Sequence, residues 1–220
     1  MVATIFVRVS IAAYLVGMEL LLIRHGLPVR RELEAGIADP ELSAAGHAQA
    51  EHLADYLESE PLDAVYASPL QRAVQTAAPL AKRRGLELGI IDGVAEWDRN
   101  SSEYVPAEEL KAAGDPRYFQ LMRGEWTSED ETPGEFHDRV VAAIDALIDA
   151  HSGERIAVSC HGGVINAYLS HILGLPVGPG FFYPRYTSIH RVAASRSGVK
   201  SVITLNETAH LRGTGLPTGM

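Results

Sequence analysis

Two histidines in this chain sit in the same local grammar. Leu21-Leu22-Ile23-Arg24-His25-Gly26 is an apolar run, long enough for a buried strand, that delivers an Arg-His pair at its carboxyl end and a glycine at once after it. In open α/β sheets, ligands bind outside the carboxyl ends of the strands. The Arg24 side chain offers a planar donor fork that matches phosphate. A neutral His25 imidazole can attack phosphorus and carry the phosphoryl group. Gly26 allows a sharp turn or a close backbone approach. Val158-Ser159-Cys160-His161-Gly162-Gly163 repeats the pattern, with an apolar helix following. A third element is Ser68-Pro69-Leu70-Gln71-Arg72. Here Ser68 reads as an N-cap, Pro69 as the first helical residue and Gln71 as the partner that closes a capping box. Arg72 then lies in a first helical turn, where free N–H groups and the helix dipole already favour anions. The combined chemistry is that of an anionic, phosphate-bearing substrate.

Periodicity supplies the elements that must position these groups. The first strand is followed by a polar loop over 27–41, and Ser43 caps a helix with a core-facing stripe of Ala50, Leu53 and Leu57. Strands are expected over 62–66, 86–91 and 155–159, and the Arg72 helix should kink at Pro79. Residues 98–132 are polar, acidic and aromatic, with weak helical signals over 107–111 and 116–123. A long amphipathic helix covers 134–150, the His161 helix ends at Gly174, and β-rich runs over 189–193 and 199–205 flank Ser197-Gly198 as a hairpin. Strands that alternate with helices predict a mostly parallel sheet covered on both faces, with one antiparallel edge.

The chain resembles the histidine phosphatase superfamily, the phosphoglycerate-mutase-like proteins. The resemblance rests on Arg24-His25-Gly26, Leu42-Ser43 with Gly46 and Gln49-Ala50, Ser68-Pro69 with Arg72 and Gln75-Thr76-Ala77, Glu96, and His161-Gly162, in order along most of the chain. It implies an α/β fold, a three-layer α/β/α sandwich around a mostly parallel sheet. It implies that His25 accepts the phosphoryl group, that Arg24, Arg72, His161 and Gly162 surround the phosphate, and that Glu96 is the proton donor. The activity implied is a phosphatase that hydrolyses a phosphate monoester of a small metabolite through phosphohistidine. A cofactor-dependent phosphoglycerate mutase and a non-catalytic phospho-ligand binding domain are the alternatives.

Several features bear on those alternatives. Where the mutases carry an acidic residue, a Thr and a downstream Asn after the first His-Gly, this chain has Leu27-Pro28-Val29-Arg30, so Arg30 or Arg31 is the expected substitute. Between residues 98 and 132 no paired arginines answer to those that hold a phosphoglycerate carboxylate in mutases, which disfavours a mutase. That segment is expected to form a cap over the site, with Tyr104, Tyr118, Phe119 and Trp126 packing on the cap itself in preference to a substrate. Asp98 competes with Glu96 for the acid role, and Val94 and Trp97 are placed to desolvate Glu96. His25, His161 and Glu96 could compose a zinc site, but two flanking arginines make a dication there electrostatically poor. No metal and no cofactor are therefore expected. His47, His52 and His137 fall on helix surfaces, and His210 has no motif around it.

The chain has 220 residues and a formal net charge of −9, which argues against a nucleic-acid partner. Its single cysteine, Cys160, excludes an intramolecular disulfide, fits a cytoplasmic location and reads as a buried apolar residue. Residues 1–17 are apolar but too short and interrupted, with Arg8 in the middle, for a membrane span, and they lack the basic start of a signal peptide. The expected organisation is an extension over 1–17, with Met18 as the natural start or 1–17 loosely attached, followed by one domain over 18–220 with its cap at 98–132. The expected partners are a phosphorylated small molecule and inorganic phosphate as product, with no nucleic acid, no membrane, and a homodimer left open.

Overall fold

A computed structural model describes residues 17–123, 131–178 and 180–219. Residues 1–16 and Trp126 lie outside the described residues, and with them the expectations placed there.

Alternation along the first strand builds the molecule. In β1 (Met18–Arg24), Leu20 and Leu22 face one side, against α5 (Pro133–Ala150) and α6 (Gly162–Leu173). Leu21 and Ile23 face the other, against α1 (Ala44–Tyr56) and α2 (Gln71–Arg84). Successive side chains of a strand point to opposite faces, so an uninterrupted apolar run demands cover on both. The sheet between these layers also contains β3 (Ala64–Ala67), β4 (Leu88–Ile90), β6 (Arg155–Cys160), β7 (Ile189–Ala194) and β8 (Lys200–Glu207). Its order is β4-β3-β6-β1-β7-β8. The first four are parallel, and β7 and β8 run antiparallel as the expected hairpin edge.

Register brings the two histidines together. β1 and β6 are parallel neighbours with Arg24 opposite Cys160, so the next residue on each strand, His25 and His161, emerges at the same sheet edge. The His25 N–H donates to the Cys160 carbonyl at 2.9 Å. On the far side of β6, the Ser68 N–H donates to the Ser159 carbonyl at 2.9 Å, which sets Ser68 at the same level. β4 ends there too, and a short 3-10 helix over Asp92–Val94 leads to Glu96. Because β7 is antiparallel to β1, the start of β7 lies at this edge, and the 183–188 segment that precedes it joins the site.

The segment 98–132 holds a strand β5 (Glu103–Tyr104), which pairs with β2 (Arg31–Glu32) in a separate two-stranded sheet, and helices α3 (Ala107–Ala113) and α4 (Pro116–Arg123). The β2–β5 pairing had no sequence signal, since two-residue strands have no period. Helix α5 starts at Pro133 behind a capping box formed by Thr132 and Glu135. Helix α2 runs on unbroken through Pro79.

Candidate active site

Ser68 is not an N-cap. Helix α2 begins at Gln71, with Leu70 extended before it and no side-chain cap of its own. The cap comes from a distant residue: Asp39, in the long loop after β1, accepts the Gln71 N–H at 2.9 Å through Oδ1, and its carbonyl accepts from Gln71 Nε2 at 2.9 Å. Gln71 therefore closes no capping box. Ser68 is instead bonded to His161, Oγ to Nε2, at 2.7 Å. Arg72 does fall in the first turn, as expected, and is 1% exposed.

His25 and His161 are 3% and 0% exposed, with ring centroids 5.2 Å apart. His25 Nδ1 lies 2.7 Å from the Gly26 carbonyl. Since a carbonyl only accepts, Nδ1 carries the proton and Nε2 is left with its lone pair. Burial first, then the charges of Arg72 and Arg24, hold the His25 pKa well below the ordinary histidine value. His161 is lowered in the same way, by burial and then by Arg72, His25 and Arg24. Both imidazoles are neutral at pH 7. The His161 Nδ1 is buried without a protein partner. With Ser68 donating its hydroxyl proton to Nε2, His161 carries its own proton on the unpartnered Nδ1.

The two arginines are held from behind. Arg24 donates to the Pro184 carbonyl at 2.6 Å, and its guanidinium lies over the rings of Tyr186 (4.2 Å) and Tyr183 (4.9 Å). Arg72 donates to Asp98 Oδ1 at 2.6 Å and lies 4.6 Å from the Tyr104 centroid. Cation–π contact with desolvated rings retains a guanidinium at low cost in water. In both arginines Nε is buried with no protein partner. A buried guanidinium N–H left over is a donor that fits an anionic oxygen. His161 Nδ1 and the N-terminus of α6 at Gly162 are further donors suited to an anion.

Glu96 accepts the Trp97 N–H at 3.0 Å and the Gly163 N–H at 2.8 Å. A Cβ at Gly163 would run into the Glu96 carboxyl group, so any side chain there would displace that carboxyl. Burial, and then the neighbouring Asp98, raise the Glu96 pKa above the ordinary carboxylate value, against the two backbone N–H bonds that lower it. Val94 is buried beneath, and Trp97 packs against Phe136 at 5.2 Å. Asp98 lies in the same cavity but is tied to Arg72. His25, Arg24, Arg72, Glu96 and Gly162 all line one cavity of about 670 Å³. Cys160 is fully buried and its thiol is pushed up by burial, as expected of an inert packing residue.

The remaining motif residues brace the loop after His25. Gly26 N–H donates to Thr76 Oγ1 at 2.9 Å, Leu27 N–H to Gln49 Oε1 at 2.7 Å, and Leu42 N–H to Gln75 Oε1 at 2.7 Å. Ser43 caps α1 through the Gly46 N–H and donates to the Leu27 carbonyl at 2.9 Å. Gly46 leaves room for that carbonyl, which a Cβ would strike.

Two expectations fail here. Neither Arg30 nor Arg31 reaches the cavity: Arg30 pairs with Glu32 and Arg31 with Glu41 at 2.5 Å, so neither replaces the missing Asn. Tyr104 lines the site over Arg72, whereas only packing on the cap was expected of it. Tyr118 and Phe119 do pack on one another, at 5.5 Å. His47 and His52 are exposed, His137 is half-buried and lines the cavity, and His210 is buried against Thr187 at 3.0 Å. Sequence reasoning missed Tyr183, Tyr186 and Glu108. Glu108 accepts both tyrosine hydroxyls, at 3.1 and 2.9 Å, and so links α3 to the rings beneath Arg24. The aromatic run Phe181-Phe182-Tyr183 was the available signal. Thr187, which follows them, is held at φ 52°, a strained conformation for a β-branched residue. Among the described residues no His, Cys, Asp and Glu side chains cluster as a metal site, and no helix is long and apolar enough to cross a membrane.

Comparison with known proteins agrees with this geometry. The family model of the histidine phosphatase superfamily (branch 1) matches residues 20–208. Phosphoserine phosphatase 1 of Hydrogenobacter thermophilus is 27% identical over 206 residues, covering 88% of this chain and 94% of the relative. Phosphoglycerate mutase-like protein 4 of Arabidopsis thaliana is 32% identical over 162 residues, 68% of each chain. A crystal structure of a phosphoserine phosphatase variant from Entamoeba histolytica, in complex with phosphoserine, superposes with a TM-score of 0.68 at 25% identity, covering 88% of this chain and 99% of the other. The chain belongs to the histidine phosphatase superfamily and is a phosphatase.

Proposed function

We propose that His25 is the nucleophile, Glu96 the general acid and base, and Arg24, Arg72, His161 and Gly162 the phosphate-binding groups of a metal-independent phosphomonoesterase. The observation that carries this reading is the 2.7 Å contact of His25 Nδ1 with the Gly26 carbonyl, from which the tautomer follows. The Nδ1–H is committed to the Gly26 carbonyl, while burial and two guanidiniums suppress protonation of Nε2. Attack by Nε2 forms an N–P bond as the P–O bond to the alcohol breaks. Glu96 gives its proton to the departing oxygen. Charge spread over the equatorial oxygens of the transition state is met by the two arginines and His161 Nδ1–H. Water then adds to phosphorus, Glu96 takes its proton, and the N–P bond breaks to release inorganic phosphate. Residues 18–220 act as one domain capped by the 98–132 segment. The single buried cysteine supports a cytoplasmic location.

The test is rapid quench with a labelled aryl phosphate in the presence of chelator. Acid-labile, base-stable phosphate should appear on His25. In His25→Ala it should disappear, with turnover abolished and the circular-dichroism spectrum retained. Near-normal turnover in that variant would end the covalent reading.

A further inference from the structure

Beyond the phosphate groups, the cavity is built for an uncharged ligand body. Its walls include Val105, Leu110, Phe136, Val177, Phe181 and Phe182. Its volume of about 670 Å³ falls within the ~300–1,000 Å³ range of cavities that enclose drug-sized molecules. Cations are the informative feature. Among the described residues that line it, the only Lys or Arg apart from Arg24 and Arg72 is Arg117. Arg117 is already spent on Asp115 at 2.7 Å and Glu103 at 2.9 Å. His137, the other basic group on the wall, has Nδ1 3.0 Å from Asp138. The remaining ionisable lining groups outside the phosphate end are acids and tyrosines. A substrate carboxylate would therefore lose water and meet no uncommitted Lys or Arg among the described residues beyond the phosphate end.

We propose that the substrate is a phosphate monoester of an apolar, uncharged alcohol of aromatic or branched-alkyl character, and that carboxylated esters such as phosphoserine and 3-phosphoglycerate are discriminated against. This rests on the phosphatase reading above for turnover, but not for binding. Discrimination follows because a carboxylate that enters the cavity exchanges water for apolar wall without gaining a partner.

Two measurements separate the claims. In the first, 2-phenylethyl phosphate, phosphoserine and 3-phosphoglycerate, all esters of aliphatic alcohols, are compared by kcat/KM, with p-nitrophenyl phosphate as the catalytic control. The expected preference for 2-phenylethyl phosphate is at least about tenfold, the scale of one polar group desolvated without a partner at a wall that is partly open at Val177 and Phe181. In the second, 2-phenylethylphosphonate and 2-amino-4-phosphonobutyrate, which cannot be hydrolysed at the P–C bond, are titrated into the intact protein by calorimetry. The first should bind tighter by a similar factor, and Phe181→Ala should narrow the gap. Equal or better turnover of phosphoserine or 3-phosphoglycerate overturns the substrate class and leaves the phosphatase standing. No turnover of any ester, p-nitrophenyl phosphate included, removes the catalytic reading, and the phosphonate ratio then decides the ligand class alone. Equal phosphonate affinities overturn it.

Discussion

Replacing Glu96 by Gln isolates the step for which the structure makes the most particular demand. Both carboxylate oxygens are engaged, one by the Trp97 N–H and one by the Gly163 N–H. The amide keeps one acceptor and sets an NH2 against the other backbone donor. Loss of one hydrogen bond to a charged group is worth about 1.5–3 kcal/mol. The same change removes a carboxylate whose charged form is disfavoured by burial and by Asp98. The two effects oppose, so the fold should survive with a modest shift in stability. Chemistry should not survive equally for all substrates. An alkyl phosphate leaves as a basic alkoxide and needs the proton, whereas an activated aryl ester leaves as a stable phenolate. The variant should lose about 10²–10⁴-fold on alkyl esters, the usual worth of general acid catalysis, which is ~3–5 kcal/mol of barrier. On activated aryl esters the phosphorylation step should lose less than about tenfold. Single-turnover phosphorylation across a leaving-group series reads this directly, as a steeper dependence of rate on leaving-group pKa in the variant. Equal losses for every ester would remove Glu96 from the acid role. Asp98 would then have to be tested, although its carboxylate is held by Arg72 at 2.6 Å.

Ser68→Ala should lower kcat/KM by roughly 2- to 12-fold, the equivalent of one ordinary hydrogen bond, because His161 then loses the donor that fixes Nδ1–H toward phosphate. Ser68→Thr should restore most of it, and unchanged kcat/KM in the alanine variant would show that the contact orients nothing. The neutral histidines also make stability depend on pH. His25 and His161 have lowered folded-state pKa values, so the unfolded chain binds more protons below its pKa near 6.5. Their contribution is full above pH 6.5 and is lost as pH falls below it, with a combined slope of up to about 2.7 kcal/mol per pH unit. Glu96, whose pKa is raised, contributes in the opposite sense, favouring the fold below its folded pKa. Urea unfolding from pH 7.5 to 5 should show falling stability on the acid side and a shallower fall in His161→Gln. Stability flat across that window would contradict the burial argument.

The parts legible in the sequence are those that leave a local period or a strand-end signature. Leu20 to Ile23 predicts a strand covered on both faces because every position is apolar, and both faces are covered. The repeated His-Gly at two strand ends predicts a shared edge, and the β1–β6 register supplies it. What stayed illegible depends on partners far apart in the chain. Ser68 looks like a cap because Ser-Pro before a helical pattern is a local signal. The actual cap, Asp39, is 32 residues from Gln71, a separation at which no periodicity operates. Tyr183 and Tyr186 lie about 160 residues from Arg24 in sequence and reach it only because β7 returns antiparallel beside β1.

The misreading of Arg30 and Arg31 has a different cause. A motif that lacks one polar contact invites a search for the nearest cation, and two arginines stand within a few residues of Gly26. Yet an exposed arginine finds the carboxylates that surround it. Glu32, Glu41 and Glu109 are nearer than the cavity, and Arg30 and Arg31 settle on them. The buried arginines that line the cavity, Arg24 and Arg72, are the ones set against aromatic rings. Tyr104 covers Arg72, and Tyr183 and Tyr186 cover Arg24, each ring accepting a guanidinium face while Nε is left unpaired. Arg24 rests on two rings and a backbone carbonyl, and Arg72 on one ring and the Asp98 carboxylate. In this way a chain with a formal net charge of −9 keeps two buried guanidiniums at one cavity.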